Sequence, residues 1–182
     1  EAKIDIYGID IDENAINSSV NESLNLMSMP AESIKELDIK FDLIVNFEVI
    51  EHLRDPVSFA KSIYDNLVHK GFHIFTTPNS LGLEIKAIGY NKTRLLAHSI
   101  FPPMHLNAFN TENILLFANK IKFKLKSLET PGLLDMDLIT KVKDELDDNE
   151  LKQIVSFDDK TKAYFQYLVA YLNSSSHMRV VL

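Results

Sequence analysis

Residues 41–56 read FDLIVNFEVIEHLRDP and residues 67–79 read LVHKGFHIFTTPN. Phe41 to Phe47 is almost continuously apolar, the pattern of a strand buried on both faces of a parallel sheet. Asp55-Pro56 then starts a helix, with Asp as the cap and Pro at the first helical position. Phe59, Ala60, Ile63 and Leu67 recur on one face of that helix, which predicts that it lies against a core. Gly71 marks its end, and Phe72 to Thr77 is the next strand, closed by Pro78-Asn79.

Working outward, Lys3 to Ile9 has strand character, and Asp12 can cap a helix carrying Ala15, Ile16 and Val20. Leu24 to Met29 is a short strand. Strands alternating with helices of this size predict an α/β fold with a doubly wound, mostly parallel sheet, so ligands belong at the carboxyl ends of the strands. Downstream, helices are expected over Leu81 to Tyr90 and after Thr111, the latter carrying Ile114, Leu115 and Ala118, with a Pro102-Pro103 loop between them. Lys120 to Leu128 alternates strictly and reads as a strand with four lysines on its wet side, a solvated edge rather than a site for an anionic substrate. Residues 135–173 read as helical, with Tyr164, Phe165, Tyr167, Leu168, Tyr171 and Leu172 expected in the core, and Met178 to Leu182 as a closing strand.

A chain of 182 residues with 46% hydrophobic and 25% charged residues is long enough for one globular domain and too apolar for disorder. Nineteen Lys and Arg against 26 Asp and Glu give a net charge of −7, which makes a nucleic-acid backbone a poor partner. With no cysteine there is no disulfide framework, thiolate metal site or thiol nucleophile, which suits a reducing cytoplasm. No run has the length of a membrane helix. The sequence starts at Glu1 without an initiator Met and enters a strand at once, so a longer natural polypeptide is expected.

At the end of the first strand, Asp10 can accept hydrogen bonds from both hydroxyls of an adenosine ribose, with Ile11 against the adenine face. NAD enzymes use the same device, so this residue alone does not choose between cofactors. Glu48, Glu51 and His52 share one face if Glu48 to Leu53 makes a helical turn, while Val49, Ile50 and Leu53 look inward. His69, His73 and His98 have no ligand spacing and read as structural, and no nucleophile elbow supports a serine hydrolase.

The two quoted stretches resemble class I S-adenosylmethionine-dependent methyltransferases, in the branch with ubiquinone-biosynthesis O-methyltransferases. The likeness extends to YGIDIDENAI, PPMHLNAFNTENI, KFKLKSLETPGLLDMDLI and SSHMRVV, which cover most of the chain. It implies a Rossmann-like sheet with an antiparallel closing strand. It further implies a cofactor-binding part at residues 1–80, a substrate-side lid at 81–120, and closing strands with a helical insertion at 121–182. The family's glycine-rich loop and first strand are missing from this chain. The natural polypeptide is therefore expected to extend upstream by roughly 50 residues or more, enough for a strand, a loop and a helix.

By the same resemblance S-adenosylmethionine is the cofactor, with Asp10 on the ribose, Ile11 and the backbone of Ala31 at the adenine, and Asn46, Phe47 and Glu48 beside the methionine part. Pro30 stands where the family carries an acidic adenine contact. His52 is the first candidate base and His105 the second, with Glu51 orienting one of them. Glu48, Glu51, His52 and His105 also resemble the Glu-x-x-Glu-His plus distal His set of metal-dependent small-RNA 2′-O-methyltransferases, which implies Mg²⁺ or Mn²⁺. The expected reaction is methyl transfer to a small acceptor, a hydroxyl of a sugar or metabolite. The alternatives are a non-catalytic relative, an RNA 2′-O-methyltransferase, and a nicotinamide-dependent oxidoreductase.

Overall fold

The computed structural model describes residues 4–21, 23–92 and 100–182, so the histidine at position 98 and Lys3 lie outside the described residues. The chain runs β1 (Tyr7–Asp10), α1 (Glu13–Asn17), β2 (Asn25–Ser28), a 3₁₀ segment (Ala31–Leu37), β3 (Phe41–Phe47), a 3₁₀ turn (Ile50–His52), α2 (Pro56–Asn66) and β4 (Leu67–Pro78). It continues with α3 (Leu83–Ile88), α4 (Asn113–Lys120), β5 (Ser127–Glu129), α5 (Asp135–Lys141), a 3₁₀ turn (Lys143–Glu145), α6 (Asn149–Val155), α7 (Asp159–Tyr171) and β6 (His177–Val181).

The described strands make two sheets, β1-β2 and β3-β4-β6-β5. β1 pairs parallel with β2 and β3 parallel with β4, while β6 runs antiparallel to both of its neighbours. The parallel sheet with one antiparallel closing strand is therefore as expected. β1 stands close to β3 without pairing: Ile9 packs on the Ile34–Ile44–Phe59–Ile63 cluster, and the rings of Tyr7 and Phe41 lie 5.6 Å apart, edge to face.

α2 forms for the reason read from its sequence. The Asp55 carboxylate accepts from the Ser58 amide at 2.9 Å, and Phe59, Ala60 and Ile63 are buried. The helix stops before Leu67, however. Asn66 turns its amide to the carbonyls of Ile34 and Ile39, both at 3.1 Å, and Leu67 enters β4. Gly71 is thus a strand residue beside a bulge, where the pairing jumps from Phe41–Leu67 to Leu43–Phe72 and Lys70 takes φ 66°.

Other expectations are corrected by packing. β3 is not buried on both faces: Ile44 is buried, but Leu43, Val45 and Phe47 are 51%, 48% and 63% exposed, because no described element covers that side. Helix α1 ends at Asn17, which leaves Val20 outside it and exposed. Thr111 does not cap α4; the Asn110 side chain organises the turn leading into it, accepting from the amides of Glu112 and Asn113, and Phe117 replaces Leu115 on the buried face.

Residues 121–126 are not strand. The carbonyls of Phe117 and Ala118 take the amides of Ile121 and Phe123, and Lys122 turns back at φ 63°, so the pairing with β6 starts late, with the Lys126 amide on the Val181 carbonyl at 2.8 Å and the strand Ser127–Glu129. Helix α7 buries Gln166 and Val169, and Tyr164, Tyr167, Leu168, Tyr171 and Leu172 stay exposed rather than forming core. Among the described residues no helix is long and apolar enough to cross a membrane.

Candidate active site

At the carboxyl end of β3 the chain reverses sharply. Glu48 adopts φ 51°, and its amide donates to the Thr76 carbonyl on β4 at 3.1 Å. That left-handed residue rotates the following turn, so the helical face expected for Glu48, Glu51 and His52 does not form. Ile50 and Glu51 are fully buried, while the His52 side chain is 42% exposed.

Glu51 reaches inward to β4, where Thr77 Oγ1 donates to its Oε2 at 3.0 Å. Its Oε1 is buried with no hydrogen-bond partner. Burial, with the nearby Glu48 charge, holds the carboxyl above the usual carboxylate range against the opposing pull of its backbone and Thr77 hydrogen bonds. His52 Nδ1 lies 2.5 Å from the Met104 carbonyl, which can only accept, so in the neutral ring Nδ1 carries the proton and Nε2 keeps a lone pair. That Nε2 is 3.7 Å from Glu51 Oε1.

The segment after the cis Pro102-Pro103 bond delivers the second histidine. The amides of Leu106 and Asn107 both donate to the Glu51 carbonyl, at 2.8 and 3.0 Å, and Asn107 Nδ2 donates to the Leu53 carbonyl at 2.7 Å. This clasp sets the His105 ring 4.7 Å from that of His52. Glu51, His52 and His105 thereby bring one ligand atom each within 4.8 Å of one another.

Glu48 does not join that trio. Its Oε2 pairs with His177 Nε2 at 3.3 Å. Burial pushes the Glu48 carboxyl up, but hydrogen bonds from His177 and Thr76 outweigh it and leave the group below its usual value. The hydrogen bond to Glu48 in turn raises His177. His177, which the sequence places beside the final strand, was not among the expected site residues; its position here depends on antiparallel pairing with Pro78, which no local pattern reveals. Gly82 allows the approach: a Cβ there would sit 2.8 Å from Ser176 Cα.

The expected cofactor contacts are spread over three elements. Asp10, exposed at the end of β1, accepts from the Asp12 amide at 2.8 Å, and Ile11 beside it is 76% exposed. Ala31 opens the 3₁₀ segment after β2 and packs against the Ile34 cluster. Phe47 is exposed at the end of β3, but the Asn46 side chain turns into the protein, its Oδ1 2.6 Å from His73 Nε2. His73 is fully buried and, as expected, structural; burial lowers its pKa to about 3.

Strands β1-β2 and β3-β4-β6-β5, with Glu51, His52 and His105 gathered at the carboxyl end of β3, fit the fold of a class I S-adenosylmethionine-dependent methyltransferase, and the comparisons with known proteins show that class. The chain belongs to a methyltransferase-domain family, whose model matches residues 1–127. A ubiquinone biosynthesis O-methyltransferase of Ruegeria pomeroyi is 39% identical over 49 residues, 27% of this chain and 20% of that protein. The chain thus matches about a fifth of the length of that curated relative. Among solved structures, a SAM-dependent methyltransferase from Archaeoglobus fulgidus superposes with a TM-score of 0.54 at 14% identity, covering 96% of this chain and 74% of that one. The mycolic acid cyclopropane synthase CmaA1, complexed with SAH and CTAB, gives 0.59 at 16% identity, covering 97% and 69%. At these identities the structures establish the fold alone.

Proposed function

We propose that this chain carries the acceptor-facing part of an S-adenosylmethionine-dependent methyltransferase that acts on a hydroxyl of a small sugar or metabolite. The observation that carries this reading is the free His52 Nε2 lone pair at the carboxyl end of β3, beside Glu51 and His105. An acceptor oxygen attacks the methyl carbon in line, the carbon–sulfur bond breaks, and the acceptor proton passes to His52 Nε2. His105 is the second candidate for that proton, and Glu51 orients the pair. Asp10 holds the ribose, Ile11 and the Ala31 backbone face the adenine, and Asn46, Phe47 and Glu48 border the methionine part. Because the Asn46 side chain is committed to His73, its contribution in this reading is its backbone.

The reading also includes a strand between β1 and β3 from polypeptide outside this chain. Among the described residues β3 has no strand partner on the side away from β4, which leaves that edge open for it. The division into a cofactor part, a lid and closing strands belongs to the same proposal.

A second reading of the trio is favoured by one observation, the partnerless Glu51 Oε1. Glu51, His52 and His105 have donors for a divalent ion, while Glu48 is held by His177, and two imidazoles with a carboxylate suit Mn²⁺ better than Mg²⁺. Such an ion acidifies a bound hydroxyl.

The experiment is a methyl-transfer screen over sugars and phenols, with and without chelator, on the full natural polypeptide. Transfer to a hydroxyl acceptor supports the first reading, and loss on chelation with recovery on Mn²⁺ supports the second. Transfer only to RNA, or none with any acceptor, contradicts both.

A further inference from the structure

The other end of β4, away from Thr77 and Glu51, opens into a cavity of about 480 Å³. Lys70, Lys122, Lys124 and Lys126 line it, and none of the four ammonium groups has an ion-pair partner among the described residues. In a chain of net charge −7, four such cations around one hollow run against the overall composition. Its walls are apolar: Phe72 and Tyr64 are 44% and 50% exposed, and Phe123 meets the Tyr64 ring edge to face at 5.2 Å.

Two features build this hollow from the chain. The β4 bulge carries Lys70 at φ 66°, and the turn after α4 carries Lys122 at φ 63°, a backbone region that residues other than glycine seldom occupy. Between residues 121 and 126 the buried Ile121 and the partly buried Phe123 and Leu125 pin the segment to the core, which leaves the alternate lysines outside. A solvated edge strand accounts for neither feature, because residues 121–125 pair with no strand and the bonding to β6 begins at the Lys126 amide.

We infer that this hollow binds a small organic phosphate, with an apolar body against Phe72, Tyr64 and Phe123 and its dianion among the four lysines. Four lysines lining one hollow suit the charge of a phosphate monoester better than that of a single carboxylate. The aromatic walls give the body of the ligand a surface that inorganic phosphate alone cannot use. The inference does not depend on methyl transfer, since the site lies at the opposite end of the strand.

Calorimetric titration with 1-naphthyl phosphate tests it, with 1-naphthol and inorganic phosphate as the separate halves. The expected result is binding at least about tenfold tighter than either half, weakened as salt rises. The Lys122→Gln, Lys124→Gln double variant, both positions being exposed, should lose at least about fivefold in affinity at an unchanged melting temperature. Equal affinity in that double variant overturns the inference, as does naphthol binding as tightly as its phosphate. So does displacement of the probe by S-adenosylhomocysteine, or a single-stranded oligonucleotide whose affinity grows with its length.

Discussion

His73 Nε2 donates to Asn46 Oδ1 at 2.6 Å across the β3–β4 pair, inside the protein. The bond is made by a neutral imidazole, because burial lowers the His73 pKa to about 3. In the unfolded chain the same histidine titrates near its ordinary value of about 6.5. Below that pH the unfolded state binds a proton that the folded state refuses, so stability falls as pH drops from about 6.5 toward 3. Between pH 6.5 and pH 4.5 the loss from this residue should be on the order of 2 kcal/mol. Urea unfolding across that range should show a shallower pH slope for His73→Phe than for the wild type, whatever the variant's absolute stability. Equal slopes would mean that His73 is solvated in the folded protein.

Asp135 should be a main structural support of the closing strand. It is completely buried, and its carboxylate accepts from the Ser175 hydroxyl, from Gln166 Nε2 at 2.8 Å and from the Ser176 amide at 2.7 Å. Asp135→Ala strands all three donors, at a cost of at least about 3 kcal/mol. Asp135→Asn keeps one acceptor and should lose less. Denaturant midpoints of the two variants check the order; an alanine variant as stable as the asparagine one would contradict it.

His52→Ala should reduce turnover by roughly 10² to 10⁴-fold, the usual range for removing a general base. Cofactor affinity should change little, because the ring points to Met104 and His105 rather than to Asp10. Steady-state kinetics and cofactor titration on the same preparation separate the two effects. Parallel losses in both would make the residue structural.

Much of the scaffold was legible because its signals are local. The apolar run 41–47, the Asp55-Pro56 start and the alternation of strand and helix each act over a few residues, and each appears in the fold. What failed depends on neighbours. The period of β3 says which residues alternate, not whether anything covers Leu43, Val45 and Phe47. The tyrosines of α7 have helical spacing, yet a helix docked through Gln166 and Val169 leaves them outside.

The candidate site divides in the same way. Glu51, His52 and His105 could be named from motifs, but the left-handed turn at Glu48 that sends its carboxylate to His177 has no sequence signature. Glycine usually marks such a conformation, and here a glutamate adopts it.

In the proposed function an adenosyl donor lies across the carboxyl ends of β1 and β3 with its ribose on Asp10. Isothermal titration of the full natural polypeptide with S-adenosylhomocysteine, wild type against Asp10→Ala, tests it most directly. Saturable binding is expected, weakening at least about tenfold on losing two charge-assisted hydrogen bonds. Absence of binding, or an affinity indifferent to Asp10, would contradict it.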